Sequence, residues 1–145
     1  MDAAARLQAT IRGSIPLSEA MQFSIESLDL DAIHVSAPLE PNVNIHGTGF
    51  AGSIYSVAVL TGWALCTHII NELELDAELV VGSAEIRYRA PVTGSLECRC
   101  QCDSAQRDAF QQSLRDKGRG KLLLEINVGE APQAILQGTF YASAR

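Results

Sequence analysis

The chain has 145 residues, 47% of them hydrophobic, which is enough for one sizeable core, so we expect a single domain over residues 1–145. Its net charge of -6 argues against a protein that binds nucleic-acid or lipid phosphates. The few basic residues are concentrated in the second half: residues 1–86 contain two and residues 87–145 contain nine. Any anion site is therefore expected in that half.

The N-terminus and the cysteines both favour a cytoplasmic protein. An acidic residue stands at position 2, and no apolar run of signal-peptide length follows it. Cys98, Cys100 and Cys102 alternate along a predicted strand, so they share one face and are expected to be reduced core residues. Metal ligation by this Cys-x-Cys-x-Cys run is conceivable, but metal clusters usually draw on turns and on several segments, and we expect no metal.

A long segment without charge separates the two halves. No Asp, Glu, Lys or Arg occurs in residues 41–71, and residues 50–70 approach the length of a membrane span. Hydroxyl groups occur throughout this segment, and no basic flank sets an orientation. We therefore predict a buried core helix over about 50–71 and no membrane insertion.

Before this helix, the periodicity of apolar residues predicts three elements in chain order. A short amphipathic helix is expected over residues 2–12. Alternation of apolar and polar residues predicts a strand that begins at Met21, with Met21 on its apolar face, and a second strand over residues 33–37. A loop over residues 41–49 then leads into the core helix.

After the core helix, residues 80–90 and 96–102 are predicted to form a β-hairpin around the turn at residues 91–94. One face of its first strand is predicted to consist of Gly82, Ala84, Ile86 and Tyr88. The predicted cross-strand ion pairs are Arg87 with Glu97 and Glu85 with Arg99.

A helix capped by Asp103 or Ser104 and ended by Gly118 precedes two final strands. The residues predicted to face inwards on these strands are Leu122, Leu124, Ile126, Val128, Leu136, Gly138, Phe140 and Ala142. Six strands with one helix that is apolar on most sides predict an α+β fold in which an antiparallel sheet wraps around the helix.

Two motifs carry a resemblance to the hotdog-fold thioesterases. The segment NIHGTGFAGS, residues 44–53, resembles their loop and helix start, where N-x-x-G-x-x-H-G-G is common. The longer stretch PNVNIHGTGFAGSIYSVAVLTGWAL is similar to a thioesterase domain fused to an acetyltransferase in some bacterial proteins. The stretch IRYRAPVTGSL, residues 86–96, resembles the family's Y-x-x-P-V-x-G-x-L.

The resemblance covers essentially the whole chain and implies a hotdog fold. It implies an acyl thioester of coenzyme A (CoA) or acyl carrier protein as substrate, no cofactor, and an active site between the subunits of a homodimer or dimer of dimers. Two departures matter: Phe50 stands at the position of the family's His, and Val59 at that of its catalytic Asp. A non-catalytic acyl-binding module is therefore the alternative. A dehydratase is disfavoured because the His and Glu pair of that branch is missing.

Four residues are candidates for catalysis. The backbone N–H of Gly52, at a helix N-terminus, is expected to polarise the thioester carbonyl, unless this glycine only permits close packing. Asn44 is a candidate to position a water or the carbonyl, His46 to serve as a base or orient the water, and Thr61 to hold the water. The alternatives are an Asx-turn for Asn44, a backbone-bonded loop histidine for His46, and a bond to its own helix for Thr61.

Six further residues are expected to bind substrate. Asn42, Phe50, Ser53 and Tyr55 are predicted to contact the acyl thioester. Arg89 and Lys121 have no evident acidic partner and are expected to hold the phosphates of the carrier.

Overall fold

The structure is a computed structural model that describes residues 1–145. Its elements are α1 (Ala3–Ser14), α2 (Pro16–Met21), β1 (Ser24–Leu28), β2 (Ala32–Ala37), a 3-10 turn (Glu40–Asn42), α3 (Ala51–Glu72), β3 (Ala77–Tyr88), β4 (Leu96–Gln101), α4 (Ser104–Lys117), β5 (Arg119–Val128) and β6 (Ala134–Ala144). The six strands form one antiparallel sheet in the order β1-β2-β4-β5-β6-β3. The predicted α+β architecture is confirmed.

The long helix α3 is the centre of the core. It packs against five of the six strands, β2 to β6. It is also the one helix long and apolar enough to cross a membrane, yet 67% of its most apolar stretch of 18 residues is buried within the fold. A Cβ added at Gly62 would lie 2.6 Å from Cζ of Phe140 on β6, so the helix approaches the sheet too closely for a side chain at this position. The predicted core helix is confirmed.

The predicted β3–β4 hairpin is wrong. β3 lies at an edge and pairs with β6, whereas β4 lies between β2 and β5. Residues 89–95 therefore cross between distant strands and do not form a hairpin turn. Alternation along a strand fixes which face each side chain takes but does not fix which strand is its neighbour.

The two predicted ion pairs are wrong for the same reason. Glu97 lies 2.8 Å from Nε2 of His34 on β2, and Arg99 is opposite His34 in the β2–β4 register. Arg87 instead contacts Glu85 on its own strand, with 3.4 Å between Nε and Oε1.

A β-bulge changes which residues of β3 face inwards, so the predicted face is wrong at Gly82. The register shifts between Val81 and Ser83, so that Val81 is opposite the inward-facing Phe140. Gly82 lies over Tyr141 on the other side of the sheet, where an added Cβ would be only 2.2 Å from the ring. The predicted face holds for residues 84–88, but Val81 replaces Gly82 on it.

At the N-terminus, the predicted strand beginning at Met21 is also wrong, because Met21 ends helix α2. Pro16 at the first position starts this helix, and Gln22 stops it in the left-handed conformation with φ of 59°. β1 therefore begins only at Ser24.

The C-terminal elements follow the prediction. The side chain of Asp103 caps α4 by accepting from the backbone N–H of Gln106 at 2.7 Å, and Gly118 ends the helix with φ of 71°. The alternate residues predicted to face inwards on β5 and β6 are all buried or, for Gly138, packed against Phe140. Here the apolar alternation and the helix caps are strong local signals.

All four cysteines are buried free thiols, and the predicted shared face of Cys98, Cys100 and Cys102 is confirmed. Burial raises the pKa of Cys98 and of Cys100 to about 12, and that of Cys102 to about 11. These side chains therefore stay neutral and pack as small apolar residues near neutral pH.

Gly62→Ala tests the close approach of α3 to the sheet. The added methyl group overlaps the ring of Phe140, so we expect a loss of about 1–3 kcal/mol in the free energy of unfolding, measured by urea denaturation. Gly13→Ala is the control, because nothing lies within 4 Å of a Cβ there and Ala favours the helix. A Gly62→Ala variant as stable as wild type would contradict the packing described.

Candidate functional site

The loop before α3 is closed by the side chain of Asn44. Its Oδ1 accepts from the backbone N–H of His46 at 2.8 Å and of Thr48 at 3.2 Å. Its Nδ2 donates to Thr48 Oγ1 at 2.9 Å and to the Gly49 carbonyl at 3.2 Å. Both polar atoms are thus engaged within the loop. This geometry favours the Asx-turn alternative over an Asn44 that orients water.

The N-terminus of α3 presents free hydrogen-bond donors. The N-cap residue Phe50 offers no side-chain cap, and the N–H groups of Ala51, Gly52 and Ser53 donate to no acceptor in the chain. Gly52 is exposed, and Ser53 is half-buried. The helix dipole adds partial positive charge at this end. The arrangement is suited to an anion or to a carbonyl oxygen that develops negative charge.

Two hydrogen bonds hold this helix start in place. Gly49 N donates to the Val92 carbonyl at 2.8 Å, and Phe50 N donates to the Asn42 carbonyl at 2.8 Å. The half-exposed ring of Phe50 folds over the first turn, where a Cβ on Gly52 would lie 2.6 Å from Cε2. Gly52 therefore also serves the packing of Phe50, and the two roles considered for it are compatible.

Tyr88 is a site residue that the sequence analysis did not assign. It is the last residue of β3, and its hydroxyl donates to the Ala51 carbonyl at 2.7 Å. Partial burial, followed by the neighbouring Tyr55, raises the pKa of Tyr88. The signal was available, because Tyr88 opens the Y-x-x-P-V stretch, but only the structure brings it to the helix start.

Thr61 lies away from this group. It is fully buried, and its hydroxyl donates to the Val57 carbonyl of the same helix at 2.7 Å. Nine residues separate it from Gly52, which is about 13 Å along a helix. The geometry favours the alternative in which Thr61 only bonds its own helix.

Asn42 and His46 take contrasting places. Asn42 is buried, and its Nδ2 donates to the carbonyls of Met21 at 2.9 Å and Pro38 at 2.8 Å, so it joins α2 to the loop. Its Oδ1 has no partner within the chain. His46 is exposed at the loop tip, beside the 95% exposed Ile45, and its ring makes no hydrogen bond within the chain.

The two cations predicted to bind phosphate lie at opposite ends of the sheet. Arg89 follows Tyr88 directly, is exposed and forms no ion pair in the chain. Lys121 is level with Val80 in the register, about 25 Å from the level of Tyr88. It lines an open depression of about 460 Å³ with Lys117 and Arg119. One chain does not bring Arg89 and Lys121 together.

An apolar groove of about 220 Å³ begins one helical turn after Gly52. It lies between α2, α3 and the β3 edge, and its lining consists of Ile15, Leu17, Met21, Ser56, Val59, Leu60, Trp63, Val81 and Phe140. Val59 thus faces an apolar space. The indole N–H of Trp63 donates to the Leu79 carbonyl at 3.1 Å, so the indole is fixed in this wall.

Asn44→Ala tests the role of the loop. Removing four hydrogen bonds should lower the free energy of unfolding by about 1–3 kcal/mol, as measured by urea denaturation. Ile45→Ala in the same loop is the control, because Ile45 is 95% exposed and its side chain should contribute little to stability. Equal stability of Asn44→Ala and wild type would show that these bonds do not hold the loop.

Comparison with known proteins identifies the family. A family model described as "Putative thioesterase (yiiD_Cterm)" matches residues 4–144. A solved structure described as a putative thioesterase from Shewanella oneidensis is 35% identical, with a TM-score of 0.85 and coverage of 98% of this chain and 97% of that one. A protein of unknown function from Chlorobaculum tepidum is 27% identical, with a TM-score of 0.93 and coverage of 98% and 94%.

A more distant structure shares the fold alone. A thioesterase from Haemophilus influenzae is 14% identical, with a TM-score of 0.71 and coverage of 99% of this chain and 92% of that one. The long helix within a six-stranded antiparallel sheet is the hotdog arrangement of these proteins. The family model spans almost the whole chain. The chain therefore belongs to the yiiD C-terminal thioesterase family of hotdog-fold proteins.

Proposed function

We propose that the protein hydrolyses an acyl thioester of CoA or acyl carrier protein at a site completed by a second subunit. Water adds to the thioester carbonyl carbon, the carbon–sulfur bond breaks, and a carboxylic acid and a free thiol leave. The observation that carries this proposal is the uncapped, exposed N-terminus of α3 at Gly52, one turn from an apolar groove.

The Gly52 N–H is the proposed donor to the thioester oxygen. The carbonyl oxygen gains negative charge as water attacks, and an amide fixed by a helix start stabilises that charge without having to reorganise. Phe50 and Ser53 flank the position. An acyl chain that extends from this point along α3 enters the apolar groove at Ser56, next to Tyr55.

The attacking water has no carboxylate base on the loop or on α3, since residues 41–71 contain no acid. Asn44 and Thr61 are engaged in their own hydrogen bonds, which leaves His46 as the loop residue proposed to orient the water. The loss of a strong general base typically costs about 10²–10⁴-fold in rate, so we expect slow turnover.

The exposed edge of β3 is the proposed contact between two copies. The strand carries Val80 and Val81, which are 59% and 42% exposed on opposite faces of the sheet, and unpaired apolar edges favour strand addition. Symmetric antiparallel pairing would place the start of one β3 beside the end of the other. Lys121 of the partner subunit would then approach the end that carries Arg89, so that the two subunits together hold the phosphates of the carrier.

A non-catalytic acyl-binding module is the second candidate. The feature that favours it is Val59 in the groove at the position of the family's Asp, because it leaves the site apolar where a base is expected. For either function we propose that the protein is cytoplasmic, because its four cysteines are free thiols and disulfides are rare in that compartment.

Gly52→Pro tests the proposed function. Proline removes the N–H but is tolerated in the first turn of a helix, so the variant should fold and lose about 10²–10³-fold in kcat. Gly52→Ala is the matched reference, since it adds the same Cβ near Phe50 and keeps the N–H. The assay follows free thiol release from acyl-CoAs, from acetyl to palmitoyl.

Wild-type protein that binds these acyl-CoAs without thiol release above background would end the enzyme proposal and leave the binding module. Equal kcat values for Gly52→Pro and Gly52→Ala, with wild type active, would remove Gly52 from the reaction.

Val80→Asp tests the subunit contact. A carboxylate here replaces an apolar side chain that the contact would cover, and charged side chains on an edge disfavour strand addition, so the dimer dissociation constant should rise by about tenfold or more in sedimentation experiments. Leu123→Asp is the control, because Leu123 is equally exposed, at 59%, but lies within the sheet on β5. Wild-type protein that stays monomeric at all concentrations would contradict the proposed assembly.

A further inference from the structure

We propose that Tyr88 is a positioning residue that fixes and polarises the peptide group carrying the Gly52 N–H. This inference rests on the proposed function, because it assigns Tyr88 a task in the same site. The hydrogen bond from Tyr88 Oη to the Ala51 carbonyl, 2.7 Å long, is the contact that carries it.

The Ala51 carbonyl and the Gly52 N–H are two ends of one planar unit. The peptide bond between these residues holds the C=O and the N–H in one plane, pointing in opposite directions. The Ala51 oxygen also belongs to the helical ladder, which starts one residue earlier with Ile54 N donating to the Phe50 carbonyl. In this ladder an oxygen accepts from the N–H four residues on, and the tyrosine uses the second lone pair. Two donors on the oxygen therefore set the direction in which the Gly52 N–H points.

The bulge in β3 brings Tyr88 to this position. Before the bulge, odd-numbered residues such as Leu79 and Val81 face inwards, as their pairing with Ala142 and Phe140 shows. After it, even-numbered residues up to Tyr88, which is opposite Ala134, face inwards. A regular strand would turn Tyr88 to the outer face, away from α3. Bulges commonly re-aim a side chain next to a functional site in this way.

The same hydrogen bond strengthens the Gly52 donor. A donor on a peptide oxygen draws electron density from the attached nitrogen, and hydrogen bonds in series reinforce one another. The first turn of α3 has no side-chain cap, so Tyr88 supplies the one side-chain hydrogen bond to its backbone. Partial burial raises the pKa of Tyr88, which keeps the hydroxyl protonated and able to donate at neutral pH.

A purely structural tether between β3 and α3 is the competing explanation. It would make Tyr88→Phe less stable without changing the Gly52 amide or the chemical step. The proposal makes a different prediction, because removing only the hydroxyl leaves the ring packed and frees the Ala51–Gly52 peptide group. Substrate affinity should change little, since the effect falls on the developing oxyanion.

The test compares Tyr88→Phe with Tyr141→Phe. Tyr88→Phe should lower kcat by about tenfold, the equivalent of one hydrogen bond in the transition state, with KM unchanged. Tyr141 is the matched control, as it is 44% exposed, against 48% for Tyr88, and its hydroxyl makes no hydrogen bond in the chain. Equal kcat values for Tyr88→Phe and an active wild type would overturn the inference while leaving the proposed function intact.

A second readout does not depend on turnover. The backbone amide resonance of Gly52 in the NMR spectrum should shift in Tyr88→Phe and stay in place in Tyr141→Phe. An unchanged Gly52 resonance in Tyr88→Phe would overturn the inference whatever the activity. Absence of thiol release from wild type would instead count against the proposed function, and the resonance would still decide whether Tyr88 sets the peptide group.

Discussion

The burial of α3 is the constraint on which the rest of the structure depends. This helix carries no charge before its last residue, and it contacts five strands, so the sheet must curve around it. Each large aliphatic side chain buried there contributes about 1.5–3 kcal/mol. Gly62 lets the helix approach Phe140 closely. The position and direction of α3 are thereby fixed, and its N-terminus emerges beside the end of β3.

The chemistry of the candidate site follows from that placement. The helix end keeps its donors free because Phe50 provides no cap, and Asn44 closes the preceding loop without covering Gly52. The apolar groove begins one turn further along the same helix. A carbonyl at the helix end and an acyl chain in the groove therefore fit one substrate in one orientation. Few residues near this site could activate water. Whether water is activated decides between hydrolysis of the thioester and binding without hydrolysis.

The sequence predicted elements and faces well, but it did not predict neighbours. The core helix, the inward faces of β5 and β6, and the caps of α4 all depend on local patterns, and the structure confirms them. The prediction of a β3–β4 hairpin was wrong. Cross-strand charge pairs such as Arg87 with Glu97 are possible in several strand orders, and the alternation of residues along a strand does not choose among these orders. The role of Tyr88 was not predicted for a related reason. It depends on a β-bulge and on a hydrogen bond to a residue 37 positions earlier in the chain.

In the proposed function, the start of α3 receives the thioester carbonyl. The most direct measurement is an NMR titration with an acyl-CoA analogue whose thioester is replaced by a non-hydrolysable ketone. We expect the backbone amides of Ala51, Gly52 and Ser53 to shift together and to saturate with the bound analogue. Saturable binding that shifts other resonances and leaves the Gly52 amide unchanged would contradict it.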